Sequence, residues 1–131
     1  MAQLVRSILP FALLIAASMA QAAGLGKLTV NSALGQILDA EIDLVSVQPG
    51  EIEQLSARIA SREAFRDARM EYPALMRLIN FSVEKRANGQ PYLKVTSGAP
   101  INEPSVSMLV ELTWLQGRVQ REYPFLLDPR R

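Results

Sequence analysis

The side chains that usually carry catalysis or bind metals are scarce in this sequence. It contains no cysteine and no histidine, which removes thiol and imidazole nucleophiles, bases and metal ligands together. A serine nucleophile would then need a buried lysine as its base. The three lysines, Lys27, Lys85 and Lys94, fall on predicted polar faces or in turns. We therefore predict a protein without catalytic chemistry; a hydrolase that uses paired carboxylates is a less favoured alternative.

Three acidic residues alternate along one predicted strand. The oxygens of Asp39, Glu41 and Asp43 could ligate a hard cation such as Ca²⁺. Cation sites usually draw their ligands from a bent loop, whereas side chains on one strand face spread out in a row. We predict a solvated acidic face that discourages pairing at a sheet edge, and we predict neither a metal nor another cofactor.

A second candidate site is basic. Arg62, Arg66 and Arg69 are spaced i, i+4 and i+7, which places them on one face of a predicted helix. Such a face could dock an anionic protein or a phospholipid surface. Because Glu63 and Asp67 lie beside it, a solvated, locally neutralised face is the simpler interpretation. These arginines are kept as candidate partner-binding residues.

The first predicted strand adds two candidate partner-binding residues, Lys27 and Thr29. An open sheet exposes edge strands whose free backbone groups can pair with a strand of a partner. The first strand is one predicted edge. The last strand is the other predicted edge, or it carries a bulge at Pro124, because proline has no N–H to donate to a neighbouring strand.

The first 22 residues are predicted to direct export rather than to fold. Arg6 precedes an apolar run from Ile8 to Ala17, and Ala20-Gln21-Ala22 is a small-x-small cleavage site. The alternative, a retained membrane anchor, is disfavoured because the run is short and contains Pro10. We expect a signal peptide over residues 1–22, cleavage near Ala22 and a periplasmic mature protein with no transmembrane span.

The rest of the chain alternates between apolar and polar residues in short segments, as half-buried strands do. About seven strands are predicted, around Leu28–Val30, Leu38–Leu44, Ser56–Ala60, Ile79–Val83, Leu93–Val95, Val106–Trp114 and Val119–Leu127. The large side chains Met108, Trp114, Tyr123 and Phe125 could line an apolar groove, but at strand spacing the three on apolar faces are predicted in the core. Asn88-Gly89 marks a hairpin turn, and Ser97 to Pro104 is predicted as a loop.

One helix interrupts the strands. Ser61 is expected to cap a helix from Arg62 to Met70, with Phe65 and Ala68 facing the core. The pattern as a whole predicts a mainly β fold, an immunoglobulin-like antiparallel sandwich with a small helical insert; an α+β sheet is the alternative. The balance of 14 basic against 13 acidic residues leaves no excess of positive charge for nucleic acid.

Several segments together resemble the N-terminal periplasmic domain of the FimV/HubP family. They are the opening Gly24–Gln36, the strand Asp39–Leu44, the hairpin between Phe81 and Ser97, and the closing segment from Val110 to Pro129. The resemblance covers residues 23–128 and leaves 129–131 as a tail. No single segment is specific to the family, but the occurrence of all of them in the same order is.

The resemblance implies a non-catalytic scaffold. Members of the family are typically large inner-membrane proteins that assemble type IV pili or secretion machinery, support twitching motility and mark cell poles. Their wall-binding LysM module, membrane span and cytoplasmic region have no counterpart in these residues and are not carried over. We therefore expect an interaction module whose partners are envelope, pilus or secretion assembly proteins. The alternative is a freestanding periplasmic chaperone or inhibitor that captures an extended peptide by strand addition.

Overall fold

A computed structural model describes residues 23–129, which form two antiparallel sheets. The strands are β1 (Gly24–Val30), β2 (Ile37–Val45), β3 (Ser56–Ile59), β4 (Ile79–Lys85), β5 (Pro91–Pro100), β6 (Ser105–Trp114) and β7 (Gly117–Leu126). A 3-10 turn at Ile52–Gln54 precedes β3, and helix α1 (Arg62–Asp67) and a 3-10 helix (Ala74–Leu78) lie between β3 and β4. The predicted signal peptide and the last two residues of the predicted tail lie outside the described residues.

The order of the strands identifies the architecture. The four-stranded sheet has the order β1-β2-β5-β4, and the three-stranded sheet has the order β3-β6-β7. This is the arrangement of a constant-type immunoglobulin domain, in which seven strands form an ABED sheet and a CFG sheet. The predicted sandwich with a helical insert is confirmed.

The core lies between the two sheets, and its composition follows from how each strand is covered. On β2, Leu38 and Ile42 are buried while the alternate residues face the outside, the pattern of a strand with one solvated face. On β6, Leu109 is buried as well as Met108 and Val110, so both faces of that strand are covered. Phe65 of α1 is completely buried, which ties the insert to the core.

The helix is shorter than its sequence predicts. Ser61 caps it as expected, since its Oγ accepts from the Ala64 N–H at 3.1 Å. It ends at Asp67 rather than Met70 because Arg69 takes a left-handed conformation (φ 59°). The Arg69 and Met70 N–H groups then bond back to the carbonyls of Arg66 and Phe65, the pattern of a Schellman cap. Ala68, predicted to face the core, is exposed.

The predicted loop from Ser97 to Pro104 is also partly wrong. Residues through Pro100 belong to β5 and pair with β2, where Pro100 lies opposite Ile37 across a register shift. Ser97 makes this pairing possible, because its buried Oγ accepts from the Leu38 N–H at 2.8 Å and donates to the Ala99 carbonyl at 2.7 Å. The segment lacks alternation because its residues are small, so the strand had no visible pattern.

Candidate partner-binding surfaces

The three arginines do not share a helix face. Arg62 and Arg66 lie in α1 and are exposed, but Arg69 follows the helix in its left-handed cap. The prediction of one i, i+4, i+7 face is therefore wrong, because helical spacing ends before the third arginine. Arg62 is fixed locally: its guanidinium lies 5.0 Å from the centre of the Tyr72 ring, a cation–π distance.

A polar cleft of about 470 Å³ lies between α1 and the outer face of the three-stranded sheet. Helix residues Ser61, Glu63 and Asp67 form one side, and Arg58, Glu111, Arg118 and Gln120 form the other. The two acidic helix residues thus face the strand arginines across the cleft. The surface near α1 carries both signs of charge rather than a basic patch.

Glu111 lines this cleft and is the one buried charged residue in the described part of the chain. Its Oε2 accepts from Arg58 Nε at 2.9 Å and Nη2 at 2.8 Å, and its Oε1 accepts from Gln120 Nε2 at 2.8 Å. The bond from Gln120 lowers the pKa of Glu111, burial opposes that shift, and Arg58 lowers the pKa further. The lowered pKa keeps the carboxylate charged at neutral pH, and both of its oxygens accept hydrogen bonds.

The predicted acidic face is organised by an arginine. Arg86, after β4, donates to Glu41 at 2.7 Å and to Asp43 at 2.9 Å, and its guanidinium lies 4.3 Å from the Tyr92 ring centre. The explanation by edge protection is wrong, because β2 lies inside its sheet between β1 and β5. Within residues 23–129, no three potential ligands cluster closely enough to hold a metal ion.

Lys27 and Thr29 are exposed on β1, as predicted. They belong to the four-stranded sheet, while the arginines lie in the connection that follows β3 of the other sheet. The structure therefore does not join the two groups of candidate residues into one surface.

The edge of β1 is occupied by side chains from β7. Arg121 Nη1 donates to the carbonyls of Leu25 (2.9 Å) and Gly26 (3.2 Å), and the Tyr123 hydroxyl donates to Gly26 at 2.6 Å. The carbonyls of Leu25 and Gly26 lie at a register shift between Leu25 and Leu28. The bulge at this shift directs them away from β2. Burial raises the pKa of Tyr123 to about 12, so the phenol keeps its proton.

The large side chains near the C-terminus belong to the core, as predicted. Met108 and Tyr123 are buried, and Trp114 and Phe125 pack against the same cluster. In the described part of the chain, no helix is both long and apolar enough to cross a membrane.

Comparison with the models of known protein families identifies the family of this chain. The FimV N-terminal domain, an Ig-like domain, matches residues 23–130. The chain belongs to this family. Its fold, with the ABED and CFG sheets described above, is that of an Ig-like domain.

Two relatives share this FimV domain. Both are named "Motility hub protein FimV", and they come from two strains of Pseudomonas aeruginosa. Each is 38% identical over 115 residues, which is 88% of this chain and 12% of the relative. The chain thus spans about an eighth of the length of these relatives. No solved structure matches.

Sequence reasoning missed two residues that organise the surface of this family member, Glu111 and Arg86. Glu111 was missed because it fits the alternation of β6: it lies on the polar side of the strand with Ser107 and Thr113, which predicts a solvated side chain. Only Leu109, an apolar residue on that same side, hinted that part of this face is covered. A charged residue on a covered face has to be paired. Arg86 had no such signal, because it follows β4 and its partners lie on β2, more than 40 positions away.

Proposed function

We propose that this chain is an exported, non-catalytic protein-interaction module that serves the assembly of motility machinery in the periplasm. The observation that carries the proposal is the match of residues 23–130 to the FimV N-terminal domain, a domain that relatives named motility hub proteins also contain. Its partners would be envelope proteins of the pilus or secretion machinery.

The chemistry of the side chains supports a role without catalysis. Histidine and cysteine are missing from the sequence, and all three lysines are exposed, where nothing would make them bases. The buried carboxylate of Glu111 is held by Arg58 and Gln120. These side chains are better explained by recognition of a partner through surface shape and charge than by catalysis of a reaction.

Export is supported by the position of the family match. The match begins at residue 23, directly after the cleavage site expected at Ala22. Removal of residues 1–22 would leave the family domain intact. We expect the protein in the periplasmic fraction with the mass of a chain that starts near Ala23, and a cytoplasmic chain of full mass would contradict the proposal.

In-cell photo-crosslinking tests the interaction role. A benzoylphenylalanine at Thr29, Arg66 or Gln120 samples β1, α1 and β7 in turn, each at an exposed position. We expect adducts with pilus or secretion assembly proteins, identified by mass spectrometry, from at least one position. A folded periplasmic protein without adducts at all three positions would favour the peptide-capturing chaperone instead.

Charge reversal then tests the arginines, with the probe kept at Thr29 or Gln120. Arg62→Glu combined with Arg66→Glu should abolish adducts if α1 contacts the partner. Arg77→Glu is the matched control, because Arg77 is also exposed and lies in the neighbouring 3-10 helix. Equal adduct yields from both variants would remove Arg62 and Arg66 from the proposed interface.

A further inference from the structure

Four strands lie at sheet edges, namely β1, β4, β3 and β7, and they differ in their ability to accept another strand. On β1, the carbonyls of Leu25 and Gly26 already accept from Arg121 and Tyr123. A strand added there would have to displace these bonds. The edge predicted first from the sequence is thus partly closed.

Two of the remaining edges carry features that limit pairing with another strand. On β7, Pro124 lies opposite Ser107 with no register shift along the pair, and proline has no N–H for an incoming strand. Strand β3 has only four residues. Short strands and edge prolines are both features that limit pairing with another chain.

On β4 no proline interrupts the strand and no side chain of the described residues bonds to its outer carbonyls, although β3 of the other sheet lies close to part of it. Strand β4 spans seven residues without proline or glycine, and it pairs with β5 in an unbroken register from Ile79 to Lys85. In an antiparallel pair, alternate residues direct their N–H and C=O groups away from the neighbouring strand. Among residues 23–129, no third strand pairs with this side of β4.

The inward side chains of β4 leave apolar surface at the same edge. Phe81 and Val83 are only partly buried, although Val95 and Leu93, directly opposite them on β5, are completely buried. An open cleft of about 510 Å³ lies beside Val83, and its other lining residues are Ile52, Glu53, Glu84 and Lys85. Two acidic groups against one basic group give this cleft a negative balance.

We infer that β4 receives an extended segment of a partner protein, which adds a fifth strand to the four-stranded sheet. Its main chain bonds to the free backbone groups of β4, and alternate apolar side chains cover Phe81 and Val83. A basic residue of the segment lies beside Glu53 and Glu84. This inference rests on the proposed interaction function and assigns it a site and a class of partner.

Hydrogen exchange on the mature protein purified from the periplasm tests the site. The probe is a synthetic peptide in which valine alternates with threonine between flanking lysines. We expect amide exchange across residues 79–85 to slow by about tenfold or more with the peptide, while β1 and β7 keep their rates. Unchanged exchange in β4, or slower exchange in β7 instead, would overturn the inference.

A matched pair of variants separates β4 from general destabilisation. Val83→Lys places an inward charge on β4, which should abolish the protection, because such charges block edge pairing. Val119→Lys makes the same change at a partly buried valine on β7 and should preserve it. If Val83→Lys does not fold, the test can instead use the wild-type protein and a peptide with proline at its central valine. If that peptide still slows exchange in β4, strand addition is refuted.

The outcomes of the hydrogen-exchange test and the crosslinking test are independent of each other. Adducts from Arg66 without protection of β4 would overturn the inference and leave the proposed function intact. Protection of β4 with no adducts in the cell would support strand addition and contradict a role in machinery assembly.

Discussion

Glu111 shows how one charged residue can be accommodated in a sheet that is covered on its outer face. The pairing of β3, β6 and β7 places Arg58, Glu111 and Gln120 in one row across the strands. The side chain of Glu111 is 3% exposed while that of Arg58 is 67% exposed. The carboxylate therefore depends on its partners for the solvation that water would otherwise supply.

Replacing Glu111 with glutamine should destabilise the protein at neutral pH by about 1–3 kcal/mol, because two donors lose their charged acceptor in a buried place. The pKa of Glu111 is lowered from 4.5, so the unfolded chain binds the proton first. The wild-type stability is thus complete above 4.5 and falls as the pH decreases through the folded-state pKa. Urea unfolding over an acid pH series should show a shallower loss for Glu111→Gln.

The matched control is Glu122→Gln, at an exposed residue whose carboxylate accepts from Ser107. It should change the free energy of unfolding by no more than about 0.5 kcal/mol. If Glu122→Gln lowers the free energy of unfolding as much as Glu111→Gln does, the burial of Glu111 does not determine its contribution to stability.

Tyr123→Phe tests the hydroxyl that closes the β1 edge. Loss of the bond to the Gly26 carbonyl should cost about 1 kcal/mol. Burial raises the pKa of Tyr123 from 10.0 to about 12, so its stabilising effect is present below pH 10 and is lost as the pH rises toward 12. Denaturant unfolding should therefore show a smaller alkaline loss for Tyr123→Phe, and an unchanged loss would contradict the assignment.

At the scale of elements, the bulge in β1 depends on a residue without a side chain. A Cβ at Gly26 would lie 3.0 Å from the Asp43 carbonyl oxygen and 3.2 Å from a methyl group of Val45. A larger residue would therefore require the backbone of β2 to move away from β1 by a few tenths of an ångström. The sequence shows glycine at this position but does not show which strand lies against it.

Gly26→Ala should lower the free energy of unfolding by about 1–3 kcal/mol, because the backbone of one of two paired strands has to move. Gly98→Ala on β5 is the control, since a Cβ there meets nothing within 4 Å and its φ is not positive. That variant should be neutral or slightly stabilising. Equal effects in urea unfolding would contradict a steric requirement at Gly26.

The elements that the sequence predicted well are those with a clear period or a strong turn signal. β2 alternates along its whole length, and Asn88-Gly89 forms the turn of the β4–β5 hairpin, with Gly89 at φ 89°. The end of α1 was predicted too late because Arg69 adopts the left-handed conformation, which glycine usually adopts after the end of a helix. The last part of β5 was missed because its pairing depends on Ser97 reaching Leu38, a contact between residues 59 positions apart.

At the scale of the molecule, the class of fold could be predicted because seven patterned segments allow few architectures. The surfaces could not, because they depend on which strands become neighbours. Lys27 and Arg66 were both candidate partner-binding residues, yet Lys27 lies on β1 of the four-stranded sheet and Arg66 lies in the helix that follows β3 of the other sheet. The interior position of β2 follows from strand order, and the partial closure of β1 follows from the side chains of Arg121 and Tyr123 on the other sheet.

The whole domain should unfold in one transition. One cluster joins residues of both sheets with Phe65 and Met76 of the insert, so neither sheet can lose its packing alone. Fluorescence of Trp114, the single tryptophan, and far-ultraviolet circular dichroism should give coincident urea curves. Separate midpoints would show that the insert or one sheet melts independently.

The link between β1 and β7 also determines how the domain would carry mechanical load. The two strands run side by side in the same direction: Tyr123 reaches Gly26, and beyond the ends of both strands the Leu34 N–H donates to the Asp128 carbonyl. A pull on the two ends of the chain would slide β1 along β7 and stretch the Arg121 and Tyr123 bonds together instead of opening them one by one. In a protein anchored at both ends, this geometry makes the domain a stiff element that resists tension.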